Sequence, residues 1–290
     1  TVLENYKHEN RNDLSMTTVM SFANFKGGVG TTSSTALTAW SLAKKGHKVL
    51  VVDMDPQSNL TSIMIKTKSQ GEGVVTISKT IMAAIVGEIP LSDTMINIRE
   101  NLDLVPSSID LGMYPQWLDK NRESELDKVQ FLKEFLAPYI QEYDYVFLDV
   151  PPTMSLNNDT AFYAADQIII VLQTQERALA GADAFVGYLQ TTLVDRFHSD
   201  VDILGILPVL SKRDAAVDRE VIKAATKKYG EENIFTHRIV TMERIKRMDM
   251  TGITDQSNDG WDKKVHKAFD GVADEIIERL GDAQDGNSKA

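Results

Sequence analysis

Cysteine is absent from the 290 residues, which removes disulfides, thiolate zinc sites, iron–sulfur clusters and a cysteine nucleophile together. Such a chain suits the reducing cytosol. Cations are scarce relative to anions: 31 Lys and Arg stand against 42 Asp and Glu, for a net charge of −11. That balance opposes indiscriminate adhesion to nucleic acid or anionic lipid, so any contact with DNA has to be made by a local patch. Long apolar runs are missing too. Stretches such as Ile168 to Leu172 fall far short of the ~20 residues that span a bilayer. The segment from Thr1 to Thr17 is polar and lacks the apolar core of a secretory signal. The expectation is a cytoplasmic protein. His8, His47, His198, His237 and His266 show no metal-ligand spacing.

What is present is an ordinary globular composition, with 42% hydrophobic and 25% charged residues and a mean hydropathy of −0.21. Short apolar, β-branched runs alternate with longer amphipathic segments, which predicts a parallel sheet covered by helices on both faces. The predicted strands are Val19–Asn24, Lys48–Asp53, Leu102–Val105, Tyr145–Asp149, Gln167–Leu172 and Asp202–Leu207. The predicted helices are Thr32–Lys45, Lys128–Ile140, Asn157–Ala165, Ala180–Leu193, Val217–Lys228 and Asp262–Leu280. In the last of these, Val265, Phe269, Val272, Ile276 and Leu280 recur at helical spacing. No repeat or Pro/Gly/Ser linker divides the pattern. The reading is therefore one doubly wound α/β domain over 18–281, with a polar extension over 1–17 and a polar tail over 282–290.

The first strand runs directly into Lys26-Gly27-Gly28-Val29-Gly30-Thr31-Thr32-Ser33. Three glycines in four residues let backbone N–H groups turn inward around an anion, and the helix that follows adds its positive end. A tight turn with no ligand is the bland alternative. A dinucleotide fingerprint is the nearest rival, because Asp53 ends the second strand, but Ser33 stands where that pattern needs its third glycine. The ordinary phosphate-loop pattern fails at Phe25 and Thr31 while keeping the Thr32 hydroxyl.

From Lys26 to Thr32 the loop resembles the deviant Walker A motif of ParA/MinD-type ATPases, K-G-G-x-G-K-[ST]. Two further blocks follow in order. Val51-Val52-Asp53-Met54-Asp55-Pro56-Gln57-Ser58-Asn59 resembles the A-prime motif, and Val146-Phe147-Leu148-Asp149-Val150-Pro151-Pro152 resembles the Walker B strand. Pro106-Ser107-Ser108-Ile109-Asp110-Leu111 is a weaker fourth match. The D-x-D-P-Q-x-N form is similar to that of partition ATPases serving plasmids or chromosomes.

The resemblance implies a P-loop fold and an ATPase that binds ATP or ADP with Mg²⁺. Backbone N–H groups from Gly28 to Thr32 would surround the β-phosphate, with Gly27 and Ser33 completing the loop. Thr32, Asp53 and Asp149 would hold Mg²⁺, largely through water. Asp55 would serve the attacking water, and Lys26 would reach the nucleotide of a second copy across a two-fold interface that Gly28 also faces. Without the resemblance, Asp53 and Asp55 read as turn-forming acids before Pro56, and Lys26 as a solvated lysine. Thr31 departs from the family, which has lysine there, and so weakens the expected nucleotide binding and turnover.

Implied partners are a second copy of the chain when ATP is bound, DNA without sequence preference, and a ParB-like centromere-binding protein. Arg244, Lys246 and Arg247 are the DNA candidates, with Arg238, Lys212, Arg213, Arg219, Lys223, Lys227 and Lys228 able to widen the patch. Their bland reading is a solvated basic helix paired with Glu243 and Asp249. A membrane partner is not expected, because Asp270, Asp274, Glu275, Glu278, Asp282 and Asp285 make the last segment repellent to anionic lipid. An alternative function is a regulatory nucleotide-binding module of the same fold whose hydrolysis Thr31 impairs.

Overall fold

The computed structural model describes residues 17–70, 77–175, 178–210, 216–240, 243–255 and 259–287. Eight strands form one sheet: β1 (Thr18–Ala23), β2 (Val49–Asp53), β3 (Ile96–Arg99), β4 (Leu102–Val105), β5 (Tyr145–Asp149), β6 (Gln167–Gln173), β7 (Asp202–Leu210) and β8 (Ile239–Val240). Their spatial order is β3-β4-β2-β5-β1-β6-β7-β8. Every pairing is parallel except the β3–β4 edge hairpin, whose turn residue Asn101 adopts a left-handed φ of 63°.

Ten helices complete the described fold: α1 (Thr31–Lys44), α2 (Asn59–Lys68), α3 (Ile81–Ile85), α4 (Tyr114–Asn121), α5 (Glu125–Ile140), α6 (Leu156–Ala164), α7 (Ala178–Tyr188), α8 (Ala216–Tyr229), α9 (Glu243–Thr251) and α10 (Gly260–Asn287). The strands bury both faces, as a helix-covered parallel sheet must. Their side chains divide by alternation. Leu50, Val52, Val146, Leu148, Ile168 and Ile170 join one core with α3 to α8. Val49, Val51, Phe147, Ile169 and Val171 join the other with α1, α2, α9 and α10.

The doubly wound single-domain reading holds, and the six predicted strands are β1, β2, β4, β5, β6 and β7. Their ends differ by a residue or two, except that β7 continues from Leu207 to Leu210. Helix α7 passes into a π-helical stretch over Leu189–Val194. The last helix does not stop near Leu280: its backbone stays helical to Asn287. Most of the extension over 1–17 lies outside the described residues. Among the described residues no helix is long and apolar enough to cross a membrane.

α1 positions the site. From Ser34 to Ala43 all of its residues are buried, because it is sandwiched between the sheet and α10. That explains why small and hydroxyl side chains fill it. The helix leaves β1 at the sheet centre; β2 and β5 lie in order on one side of β1, β2 leading to α2 on the face that α1 covers and β5 to α6 on the opposite face. The carboxyl ends of β1, β2 and β5 thus converge beside the start of α1, the crevice where open α/β sheets bind ligands.

Candidate functional site

The turn between β1 and α1 depends on two glycines. Gly28 and Gly30 have φ of 74° and 96°, a left-handed conformation that side chains disfavour. Gly30 precedes the first turn of α1 without a side-chain cap. The first N–H groups of α1 therefore remain available to an anion, with the helix dipole behind them. Gly27 runs close to Pro152, where a Cβ would sit 3.4 Å from the proline Cγ.

Lys26 does not fold back over its own loop. Its backbone N–H donates to Asn24 Oδ1 at 2.9 Å, and Asn24 Nδ2 donates to the Val171 carbonyl at 2.6 Å. Its ammonium donates to Gln175 Oε1 at 2.6 Å and Gln173 Oε1 at 3.3 Å. These neutral partners hold the charge at the end of β6, where Gln173 borders the cleft and Lys26 does not.

Asp53 and Asp149 close β2 and β5 and are fully buried. They are register partners across the β2–β5 ladder. Asp53 is well supplied with donors: Oδ2 accepts from the Thr61 N–H at 2.8 Å and hydroxyl at 2.7 Å, and Oδ1 accepts from the Asp55 N–H at 3.0 Å. Asp149 is not. Neither of its oxygens has a hydrogen bond of normal geometry, although the Thr32 and Thr35 hydroxyls favour its charged form. Burial raises its pKa well above the carboxylate range, and repulsion from Asp53 adds to the effect. Burial also raises Asp53, against the opposing pull of Thr61.

A buried carboxylate without hydrogen bonds, such as Asp149, costs several kcal/mol when ionised, and the neighbouring charge of Asp53 adds to that cost, so the pair points to a cation that neutralises both. Oxygen donors from Asp53, Asp149 and Thr32 suit Mg²⁺, which keeps several waters and takes further ligands from phosphate. Among the described residues no three His, Asp or Glu side chains gather into an all-protein metal cage. A water-rich, phosphate-shared ion does not require one.

A cleft of about 510 Å³ opens in front of these residues. The turn from Gly28 to Ser33 floors it, Asp55 lines one side and Pro152 another. One Asp55 carboxyl oxygen accepts from the Gln57 N–H at 2.8 Å. The Asp55 carbonyl is fixed by the Ser107 hydroxyl at 2.8 Å, and the Ser107 N–H reaches Thr61 Oγ1 at 3.0 Å. Thr61 and Ser107 were not among the predicted site residues. Ser107 lies in the weaker fourth block, which here braces the A-prime turn, whereas Thr61 carries no motif signal.

The structure brings together Gly28, Val29, Gly30, Thr31, Thr32, Ser33 and Asp55 as walls of the cleft, with Asp53 and Asp149 at the adjoining strand ends. Lys246 also lines the cleft, from α9. Its neighbour Arg247 is exposed, as are Arg238, Arg219, Lys223 and Lys227. Lys228 is engaged by Asp183. Arg244 lies in the first turn of α9, but its side chain, like Lys212 and Arg213, lies outside the described residues.

The comparisons with known proteins agree with this geometry. Residues 17–203 match the family model described as an AAA domain. Chromosome partitioning protein ParA of Myxococcus xanthus is 30% identical over 209 residues, covering 71% of this chain and 69% of the relative. Cobyrinic acid a,c-diamide synthase of Mycobacterium smegmatis, solved with an ATP analog and magnesium, superposes with a TM-score of 0.72 at 23% identity, over 91% of this chain and 96% of its own. The McdA–ATP complex of Cyanothece gives 0.75 at 24% identity, over 92% and 98%. At such identities the structures speak to the fold. The family model spans more than half the chain and a partition protein is matched at 30% identity over two thirds of its length, so the chain belongs to the AAA-domain family and, within it, to the ParA-type partition ATPases.

Proposed function

We propose that this chain is an ATP-dependent DNA-partition ATPase that binds ATP with Mg²⁺ in the cleft above Gly28–Ser33. It pairs as a homodimer when loaded, binds DNA without sequence preference and is stimulated by a ParB-like partner. The observation that carries this reading is the orphaned Asp149 carboxylate beside Asp53, at the foot of a glycine turn that presents backbone donors. Bound there, Mg²⁺ would neutralise both carboxylates and the charge on the β- and γ-phosphates.

This chain's own groups divide the remaining work. The N–H groups from Gly28 to Thr32 bind phosphate oxygens. The Thr32 hydroxyl and the two buried aspartates orient the ion. Asp55, held by Gln57 and Ser107 at the cleft wall, orients the attacking water and takes up its proton. Lys26, whose ammonium is engaged by Gln173 and Gln175, serves the nucleotide of a second copy rather than its own. Arg244 and Arg247 on α9 are the proposed DNA contacts, whereas Lys246 beside them lines the cleft.

Calorimetry with ATP in Mg²⁺ and in EDTA tests the reading. Metal-dependent binding is expected. No binding by the Thr31→Lys form, which carries the complete family loop, would sink it. Thr31 also favours a second reading, a nucleotide-binding regulatory module with little hydrolysis. Steady-state turnover in the presence of DNA and a cognate centromere-binding protein separates the two.

A further inference from the structure

Thr31 leaves a deficit of charge at the turn. As the first residue of α1 and part of the cleft wall, it stands where the family places a lysine, and a hydroxyl cannot balance a polyphosphate. Lys26 is not among the residues that line the cleft, and its ammonium is engaged by Gln173 and Gln175. The described residues around the cleft include two carboxylates, Asp55 and Asp249, and a single cationic side chain, Lys246.

Lys246 owes its place to the packing of α9. Met248 is buried in the core beneath it, so the following helix turn is anchored. Gly252 lies so close to the backbone of Thr67 and Lys66 that a Cβ there would collide with it. The Ile253 N–H donates to Thr67 Oγ1 at 2.8 Å, Gln70 Nε2 donates to the Thr251 carbonyl at 3.1 Å, and Lys66 donates to the Asp249 carbonyl. Thr67 is the C-terminal end of the same α2 whose first turns carry Thr61, the residue that holds Asp53. A rigid helix thus ties the metal-side carboxylate to α9. Ile245, Lys246 and Asp249 face the cleft from that anchored helix.

We propose that Lys246 supplies to the bound nucleotide's phosphates the positive charge that Thr31 does not, a lysine delivered from α9 in place of one in the loop. The inference rests on the cleft being an ATP site and names a specificity residue within it. A lysine on a flexible four-carbon stem acts as a point charge and does not need the fixed geometry of the loop position to do so. Its contribution should appear with ATP and ADP and be absent with adenosine, which lacks phosphates.

The test is a double-mutant cycle read by mant-ATP fluorescence with Mg²⁺, using the parent chain, Lys246→Ala, Thr31→Lys and the double variant. In the parent background Lys246→Ala should weaken binding about tenfold or more, as expected for removal of one charge-assisted hydrogen bond. In the Thr31→Lys background the same change should cost less than about threefold, because the loop lysine already occupies that role. Lys246→Arg should retain most of the affinity and Lys120→Ala, at an exposed lysine on α4, should leave it unchanged, while adenosine competes equally with all four proteins. An affinity indifferent to Lys246→Ala, or an equal loss in both backgrounds, overturns the proposal while leaving the ATP reading intact. Failure of Thr31→Lys to bind mant-ATP overturns the ATP reading and the proposal with it.

Discussion

Asp53 and Asp149 face each other as register partners at the ends of adjacent parallel strands, both buried, one held by three hydrogen bonds and the other with none of normal geometry. The asymmetry separates two jobs. Asp53 is fastened to α2 by Thr61 and carries the position of the A-prime turn. Asp149 has no comparable anchor.

The first prediction follows from that shortage of donors. With no metal or nucleotide, the Asp149 carboxylate is a liability at neutral pH. Asp149→Asn should therefore raise the stability of the ligand-free protein by about 1–3 kcal/mol, a few degrees in Tm for a chain of this size. The same change should remove the extra stabilisation that Mg²⁺ gives in the presence of ATP. Differential scanning fluorimetry with and without Mg²⁺–ATP checks both halves. An Asn variant that is destabilised without ligand would mean that Asp149 has a structural partner.

Asp55 makes a separable prediction. Its backbone is braced by Ser107 and one of its oxygens by Gln57, and it holds neither the glycine turn nor the strand end. Asp55→Ala, made in the Thr31→Lys background, should lower ATP turnover by about a hundredfold or more, the usual worth of a group that handles a reacting proton. The dissociation constant for ATP should stay within a small factor of the parent. Turnover at the parental rate would assign the water to another group.

Much of this site is legible in the amino-acid sequence. Asp53, Asp149 and the turn from Lys26 to Ser33 lie where a buried strand meets a polar break, and buried parallel strands read as unbroken apolar runs. The elements that the pattern does not reveal lack that contrast. β3 is a half-exposed edge strand of the pattern Ile-Asn-Ile-Arg, and β8 is two residues long. α9 offers Ile245, Met248 and Met250 as apolar positions among charged neighbours, and Met250 is exposed, so its periodicity is faint. Its path over the cleft is set by Gly252 packing on Thr67 and by the Ile253–Thr67 bond, contacts between residues far apart in sequence. Lys246 accordingly reads as one member of a basic cluster, whereas the fold brings it to the cleft that Gly28–Ser33 also line.

Glu275 on α10 gives a pH prediction away from the cleft. Burial works against its ionisation, but the backbone N–H groups of His237 and Thr236, then Arg279 and the His237 ring, outweigh it and bring its pKa down to about 2. The distances are 2.9 Å to each backbone N–H and 2.8 Å to Arg279. A carboxylate with a lowered folded pKa contributes stability that is complete above its unfolded pKa, near 4.5, and is lost as pH falls from there toward 2. Glu275→Gln should cost roughly 2 kcal/mol at pH 7, allowing for partial solvent screening. The two proteins should then converge only as the pH approaches about 2. Urea midpoints measured across that range check it, and a constant gap between the curves would show that hydrogen-bond geometry rather than charge is at stake.

The DNA prediction turns on α9, where Arg247 is exposed next to Lys246, and Arg244 lies one turn earlier. If these arginines meet phosphates, Arg244→Ala and Arg247→Ala should each weaken binding equally on unrelated duplexes. Removing one arginine–phosphate pair should also flatten the slope of log affinity against log salt by about 0.9. A dimer presents each residue twice, so a single substitution should remove about 1.8 from the slope. Lys246→Ala should behave differently: its effect on DNA should follow its effect on ATP and disappear at saturating nucleotide, because its charge serves the cleft. The measurements belong in the Thr31→Lys background at fixed nucleotide, so that weak ATP binding does not pass for weak DNA binding. An unchanged slope for both arginine variants would move the DNA surface off α9, and a preference for one duplex sequence would replace phosphate contact with base readout as the source of affinity.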